Sequence, residues 1–256
     1  MKTVKEGIIS FFGGRQSKIV KFCYALKYSV KKFKVIKKVN TNFSLKFFTK
    51  ILSGQYFVEF QADSSEEIKY FNKKYSFNYD DWFSKNFNIW RKTLANLNEI
   101  RYLEIGSFEG RSAVFVGELK NTKEITCVDT FEGSDEHNMI DFNLVYKNCS
   151  TNLNKFNVKS NLIKDKSDNF FSKNNQKFNV IYIDGSHFYE DVKKDFINSL
   201  NCIEKGGILI CDDFLWFYYN NLAHNPIVAI IECYEKFKND LEILFINHQI
   251  IFKKIN

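Results

Sequence analysis

Acidic residues stand where several apolar runs of this chain stop. "FNVIYIDGSH" ends in Asp184, with His187 three residues on, and "GGILICDDF" ends in Asp212 and Asp213. A buried charge is costly unless it is paired or bound. If the two runs are neighbouring strands, the three carboxylates converge, and convergent carboxylates repel unless a cation binds them or one takes a proton. Oxygen-only ligands suit Mg²⁺, Ca²⁺ or Mn²⁺. His187 would stand beside such an ion as a general base. Capping of the following segment is the plainer role for Asp212 or Asp213.

A second group precedes these residues. "EIGSFEG" supplies Glu104, Gly106, Ser107 and Gly110, with Ser112 opening the next helix. Glycines let the backbone approach a ligand closely. The run is not G-x-G-x-x-G, because Ser107 holds the second glycine position, and no Gly-Lys-Ser/Thr follows to make a phosphate loop. Asp129 closes the next apolar run, 23 residues after Gly106, and is followed by Thr130. An acid there is placed to accept ribose hydroxyls, so glycine turn and acid together suggest an adenosine-containing ligand. Ser167 lies past the third run, "NLIKDKS".

The elements that must position these residues alternate. From Arg101 onward, short apolar runs are followed by amphipathic stretches, which implies a parallel sheet covered on both faces. Ligands of such sheets bind beyond the carboxyl ends of the strands, where all the residues named above fall. The tail "EILFINHQIIFKKI" has no room for a helix, so its two runs form a hairpin at Asn247–His248 and the last strand is antiparallel.

The quoted motifs resemble class I S-adenosylmethionine-dependent methyltransferases over about residues 100–254. More narrowly, the Asp-Gly-Ser-His and Asp-Asp pair are similar to the macrocin and mycinamicin type of sugar O-methyltransferase. The resemblance implies an α/β, Rossmann-like fold with a mostly parallel seven-stranded sheet and an antiparallel C-terminal hairpin. It implies S-adenosylmethionine at Glu104, Gly106, Ser112 and Asp129, Mg²⁺ on Asp184, Asp212 and Asp213, and His187 as base. A vicinal hydroxyl of a small-molecule or glycan acceptor would then be methylated.

The expected division is a basic, helical N-terminal extension over 1–98 and the methyltransferase domain over 99–256. Residues 1–50 hold thirteen Lys/Arg and one acid, against 24 basic and 29 acidic residues in the remainder. Between residues 18 and 39, Ile19, Phe22, Cys23, Leu26, Val30 and Phe33 fall on one helical stripe opposite lysines. Such a helix packs on its own domain or on a second copy, or lies on an anionic membrane. No apolar run is long enough to span a bilayer, and six scattered cysteines without a Cys-x-x-Cys pair read as reduced thiols of a cytoplasmic protein. Nucleic-acid base methylation needs proline motifs that the lone Pro226, followed by Ile227, does not make. Ribose methylation and a non-catalytic binding module stay open.

Overall fold

A computed structural model describes residues 33–34, 36–52, 65–133 and 139–256. Most of the basic stripe over 18–39 therefore lies outside the described residues. The chain divides into two compact units, 1–62 and 63–256. In the first, helix α1 (Thr41–Leu52) begins after Asn40, whose side chain accepts the Phe43 N–H at 2.9 Å. That bond satisfies one donor left open in the first turn. Among the described residues no helix is long and apolar enough to cross a membrane.

The second unit is built on a seven-stranded sheet: β1 (Ile100–Ile105), β2 (Thr122–Asp129), β3 (Lys159–Lys164), β4 (Phe178–Ile183), β5 (Ile203–Cys211), β6 (Leu241–Ile246) and β7 (Ile250–Lys254). The spatial order is β3-β2-β1-β4-β5-β7-β6. The first five strands are mutually parallel, and β7 runs antiparallel to both β5 and β6. This is the Rossmann-like methyltransferase arrangement with its antiparallel C-terminal hairpin. β1, β4 and the end of β5 are almost wholly buried, which is why they read as unbroken apolar runs.

The strand order reverses between β1 and β4, since β2 and β3 lie on one side and β5 on the other. A crevice opens at such a switch point. Helices α4 (Arg111–Gly117), α5 (Phe142–Leu153), α6 (Ser167–Lys173), α7 (Tyr189–Cys202) and α8 (Pro226–Phe237) follow successive strands.

Helices α2 (Ser65–Lys74) and α3 (Phe87–Leu94) belong to the same compact unit as the sheet. The expected domain boundary falls at residue 98, whereas this unit begins at Asp63. The reason is a buried aromatic layer. Phe87 stacks on Phe115 of α4 at 4.6 Å, and Trp90 meets Tyr182 of β4 edge-on at 4.8 Å. Phe87 and Trp90 are fully buried. Burying such rings contributes about 1.5–3 kcal/mol each.

Candidate functional site

A cleft of about 970 Å³ lies over the carboxyl ends of β1, β2, β3, β4 and β5. Of the residues expected to form the site, Gly106, Ser107, Ser112, Asp129, Thr130, Ser167, Asp184, His187, Asp212 and Asp213 line it. Glu104 and Gly110 are not among its lining residues.

The turn after β1 is held tightly. Gly106 has φ +85°, and a Cβ there would come within 2.0 Å of the Asp184 carbonyl oxygen. Only glycine lets the turn pass so close to the end of β4. Asp129 fixes the other side: Oδ2 accepts the N–H groups of Ser107 and Phe108, each at 2.8 Å, and Oδ1 accepts that of Phe131 at 2.7 Å. The acid expected to hold a ribose is thus also the anchor of the glycine turn, with acceptor capacity left over on Oδ1. Glu104 is fully buried and accepts from the Ser112 hydroxyl. Burial pushes its carboxyl up to about 8, with Ser112 acting in the opposite direction.

The acid cluster forms because β4 and β5 are neighbours. Ile183 is in register with Cys211, so Asp184 and Asp212 follow side by side. The two next to each other behave differently. Asp212 accepts from the Tyr182 hydroxyl, from the Gln249 amide at 2.8 Å and from the Asp213 N–H at 2.8 Å. Asp213 takes φ +52°, a left-handed conformation uncommon outside glycine. Its carboxylate reaches His187 instead, with Oδ2 at 2.7 Å from Nε2. The ligand atoms of Asp184, His187 and Asp213 all lie within 4.8 Å of one another. Burial, then the charges of Asp212 and Asp213, hold the Asp184 carboxyl well above the usual carboxylate range, and His187 opposes the shift. Burial and the charge of Asp213 push Asp212 up as well.

Several cleft residues carry no motif in the sequence. Trp216 follows Asp213 by three positions and sits 4.6 Å from the His187 ring, with Tyr218 stacked on Trp216 at 5.2 Å. Trp82 and Phe108, which also line the cleft, pack together at 5.2 Å. The loop before Trp82 is positioned by Glu109, which accepts the N–H groups of Asn78 and Tyr79 at 2.8 and 3.1 Å. Trp216 was discoverable by its place just past a strand end. Trp82 was visible only as one member of a dense aromatic stretch.

Comparisons with known proteins agree with this fold. Residues 103–214 match the family model described as a methyltransferase domain. The uncharacterized protein R132 of Acanthamoeba polyphaga mimivirus is 27% identical over 186 residues, 66% of this chain and 80% of that protein. Among solved structures, the O-methyltransferase of Bacillus cereus in complex with SAH superposes with a TM-score of 0.52 at 13% identity, covering 80% of this chain and 97% of that one. A candidate caffeoyl-CoA O-methyltransferase of Staphylococcus aureus gives 0.51 at 15% identity, with 82% and 98% covered. At these identities the superpositions establish the fold. Residues 103–214 thus resemble a methyltransferase domain, and the sheet has the Rossmann-like methyltransferase fold with a cleft at its switch point.

Proposed function

We propose that this protein is an S-adenosylmethionine-dependent, divalent-cation-assisted O-methyltransferase that acts on a hydroxyl of a sugar or another small polyhydroxylated acceptor. The observation that carries this reading is the juxtaposition of Asp184, His187 and Asp213 at the end of the glycine-turn cleft.

The residues present suit the cofactor. The cleft is large enough for an organic ligand, the glycine turn brings backbone against it, and Asp129 stands at the end of β2. S-adenosylmethionine, when bound, supplies a methyl group already activated on a sulfonium. The residues also suit a cation. Two carboxylates and an imidazole converge, and the crowding that raises Asp184 is what a positive charge relieves. Asp184 and Asp213 would hold the ion, with Asp212 fixing the geometry of the pair through its bonds to Tyr182 and Gln249. A divalent cation lowers the proton affinity of a hydroxyl it binds.

The chain's own groups complete the chemistry. His187 takes the proton of the acceptor hydroxyl. Asp213, at 2.7 Å, stabilises the imidazolium that results. Trp216 fixes the ring plane from one side. Much of the rate then comes from orientation of the hydroxyl.

The test is transfer of a labelled methyl group to a panel of sugars and catechol-like diols, with Mg²⁺ or with chelator. Transfer should need the cation, and His187→Ala should lower it by about 10²–10⁴-fold with cofactor affinity unchanged. Transfer indifferent to chelator would remove the cation from the account.

A further inference from the structure

The Tyr182 hydroxyl stands between two acids of the cluster. Tyr182 lies on β4, two residues before Asp184, so both side chains leave the sheet on one face. Its hydroxyl is 2.8 Å from Oδ2 of Asp184 and also contacts Oδ2 of Asp212. The residue is 1% exposed, and Trp90 meets its ring edge-on at 4.8 Å. Gln249 directs its amide to the Tyr182 oxygen at 3.3 Å and to Asp212 Oδ2 at 2.8 Å. A buried tyrosine needs one partner for its hydroxyl. The Gln249 amide donates to that oxygen, which leaves the hydroxyl hydrogen for the acids. Two acids share it, which is more than satisfying the tyrosine requires.

The sharing has a consequence for the cluster. The register of β4 on β5 sets Asp184 beside Asp212. Side-by-side carboxylates repel and, left to themselves, swing apart. A hydroxyl hydrogen between them opposes that movement and engages one oxygen of each acid. Asp184 is left with Oδ1, and the ligand atoms of Asp184, His187 and Asp213 converge to within 4.8 Å of one another. A group that fixes the orientation of a metal ligand from behind alters cation affinity without touching the ion.

We infer that Tyr182 is a positioning residue for the cation site: its hydroxyl holds Asp184 against Asp212 and turns the second Asp184 oxygen toward an ion held with Asp213. This rests on the divalent-cation reading above. It assigns to a fully buried strand residue a role in cation affinity that no motif marks.

Titration of the full chain with Mn²⁺, with the free ion read by electron paramagnetic resonance, tests it in Tyr182→Phe, in Asp212→Asn and in the double variant. Tyr182→Phe keeps the ring and should bind Mn²⁺ about 10–100-fold more weakly, with affinity for S-adenosylhomocysteine unchanged. In Asp212→Asn the repulsion is gone, so adding Tyr182→Phe should change Mn²⁺ affinity by less than about threefold. A hydroxyl needed for packing alone would cost the same factor in both backgrounds, and that result overturns the inference. Mn²⁺ affinity unchanged in Tyr182→Phe overturns it too. Should Tyr182→Phe not fold, the double variant decides. A folded double variant supports the clamp, since the hydroxyl is then dispensable once the charge pair is gone, and an unfolded one overturns it. If wild type binds no Mn²⁺, the cation reading itself falls and takes the inference with it, a result distinct from wild-type binding that the variants leave unchanged.

Discussion

Gln249 donates its side-chain amide to Asp212 at 2.8 Å while accepting the indole N–H of Trp90 at 2.8 Å. Gln249 is 1% exposed in the hairpin turn between β6 and β7, and Trp90 lies on α3, 159 residues away in sequence. A helix outside the expected methyltransferase domain is thereby connected to the acid cluster. The same amide also contacts the Tyr182 hydroxyl at 3.3 Å. Asp212 is therefore held from behind, which leaves Asp213 as the acid that turns toward His187.

Replacing Gln249 by Leu would orphan the Trp90 N–H and strip a donor from Asp212. Buried orphans of this kind cost about 1–3 kcal/mol each. Urea unfolding of Gln249→Leu should show a stability loss of about 3 kcal/mol. Unchanged stability would mean that the bridge does not hold the site.

Gly106 and Gly206 separate two effects of adding a methyl group. Both have positive φ, +85° and +82°, but a Cβ at Gly206 meets nothing within 4 Å, while at Gly106 it strikes the Asp184 carbonyl. Gly206→Ala should cost about 1 kcal/mol from backbone strain alone. Gly106→Ala should cost at least ~2 kcal/mol more and abolish cofactor binding. Equal thermal unfolding shifts in the two variants would contradict the close approach of the turn to β4.

Glu104 gives a pH signature. Its carboxyl titrates near 4.5 when exposed and near 8 in the fold, chiefly because of burial. The native state therefore keeps a proton that the unfolded chain has lost. The stabilising contribution is full below about 4.5 and is lost as pH rises through about 8, at about 1.4 kcal/mol per pH unit across that window. Glu104→Gln cannot ionise. Denaturant unfolding from pH 5 to 8.5 should show wild type losing stability relative to the variant as pH rises. A constant difference would show that Glu104 is charged in the fold.

The sheet was legible because its strands are buried on both faces and so appear as continuous apolar runs such as "FNVIYI" and "ILIC". The strand-end residues were legible for the same reason, since an acid closing an apolar run is conspicuous. What pairs with each acid was not. Asp212 and Asp213 are adjacent in sequence, yet one turns to Tyr182 and the other to His187 because Asp213 adopts a left-handed backbone conformation. Trp90 was one aromatic among many until α3 docked on β4. Asp195 carries no motif in the sequence, and its burial arises only when α7 packs against the sheet.

The central claim is that the glycine turn and Asp129 form a cofactor site, and calorimetric titration of the purified protein with S-adenosylmethionine tests it most directly. One-to-one binding in the micromolar range, retained in Asp184→Asn and lost in Gly106→Ala, is the predicted result. No binding with or without Mg²⁺ would contradict the account, leaving the turn and Asp129 as structural features of a methyltransferase fold used for something else.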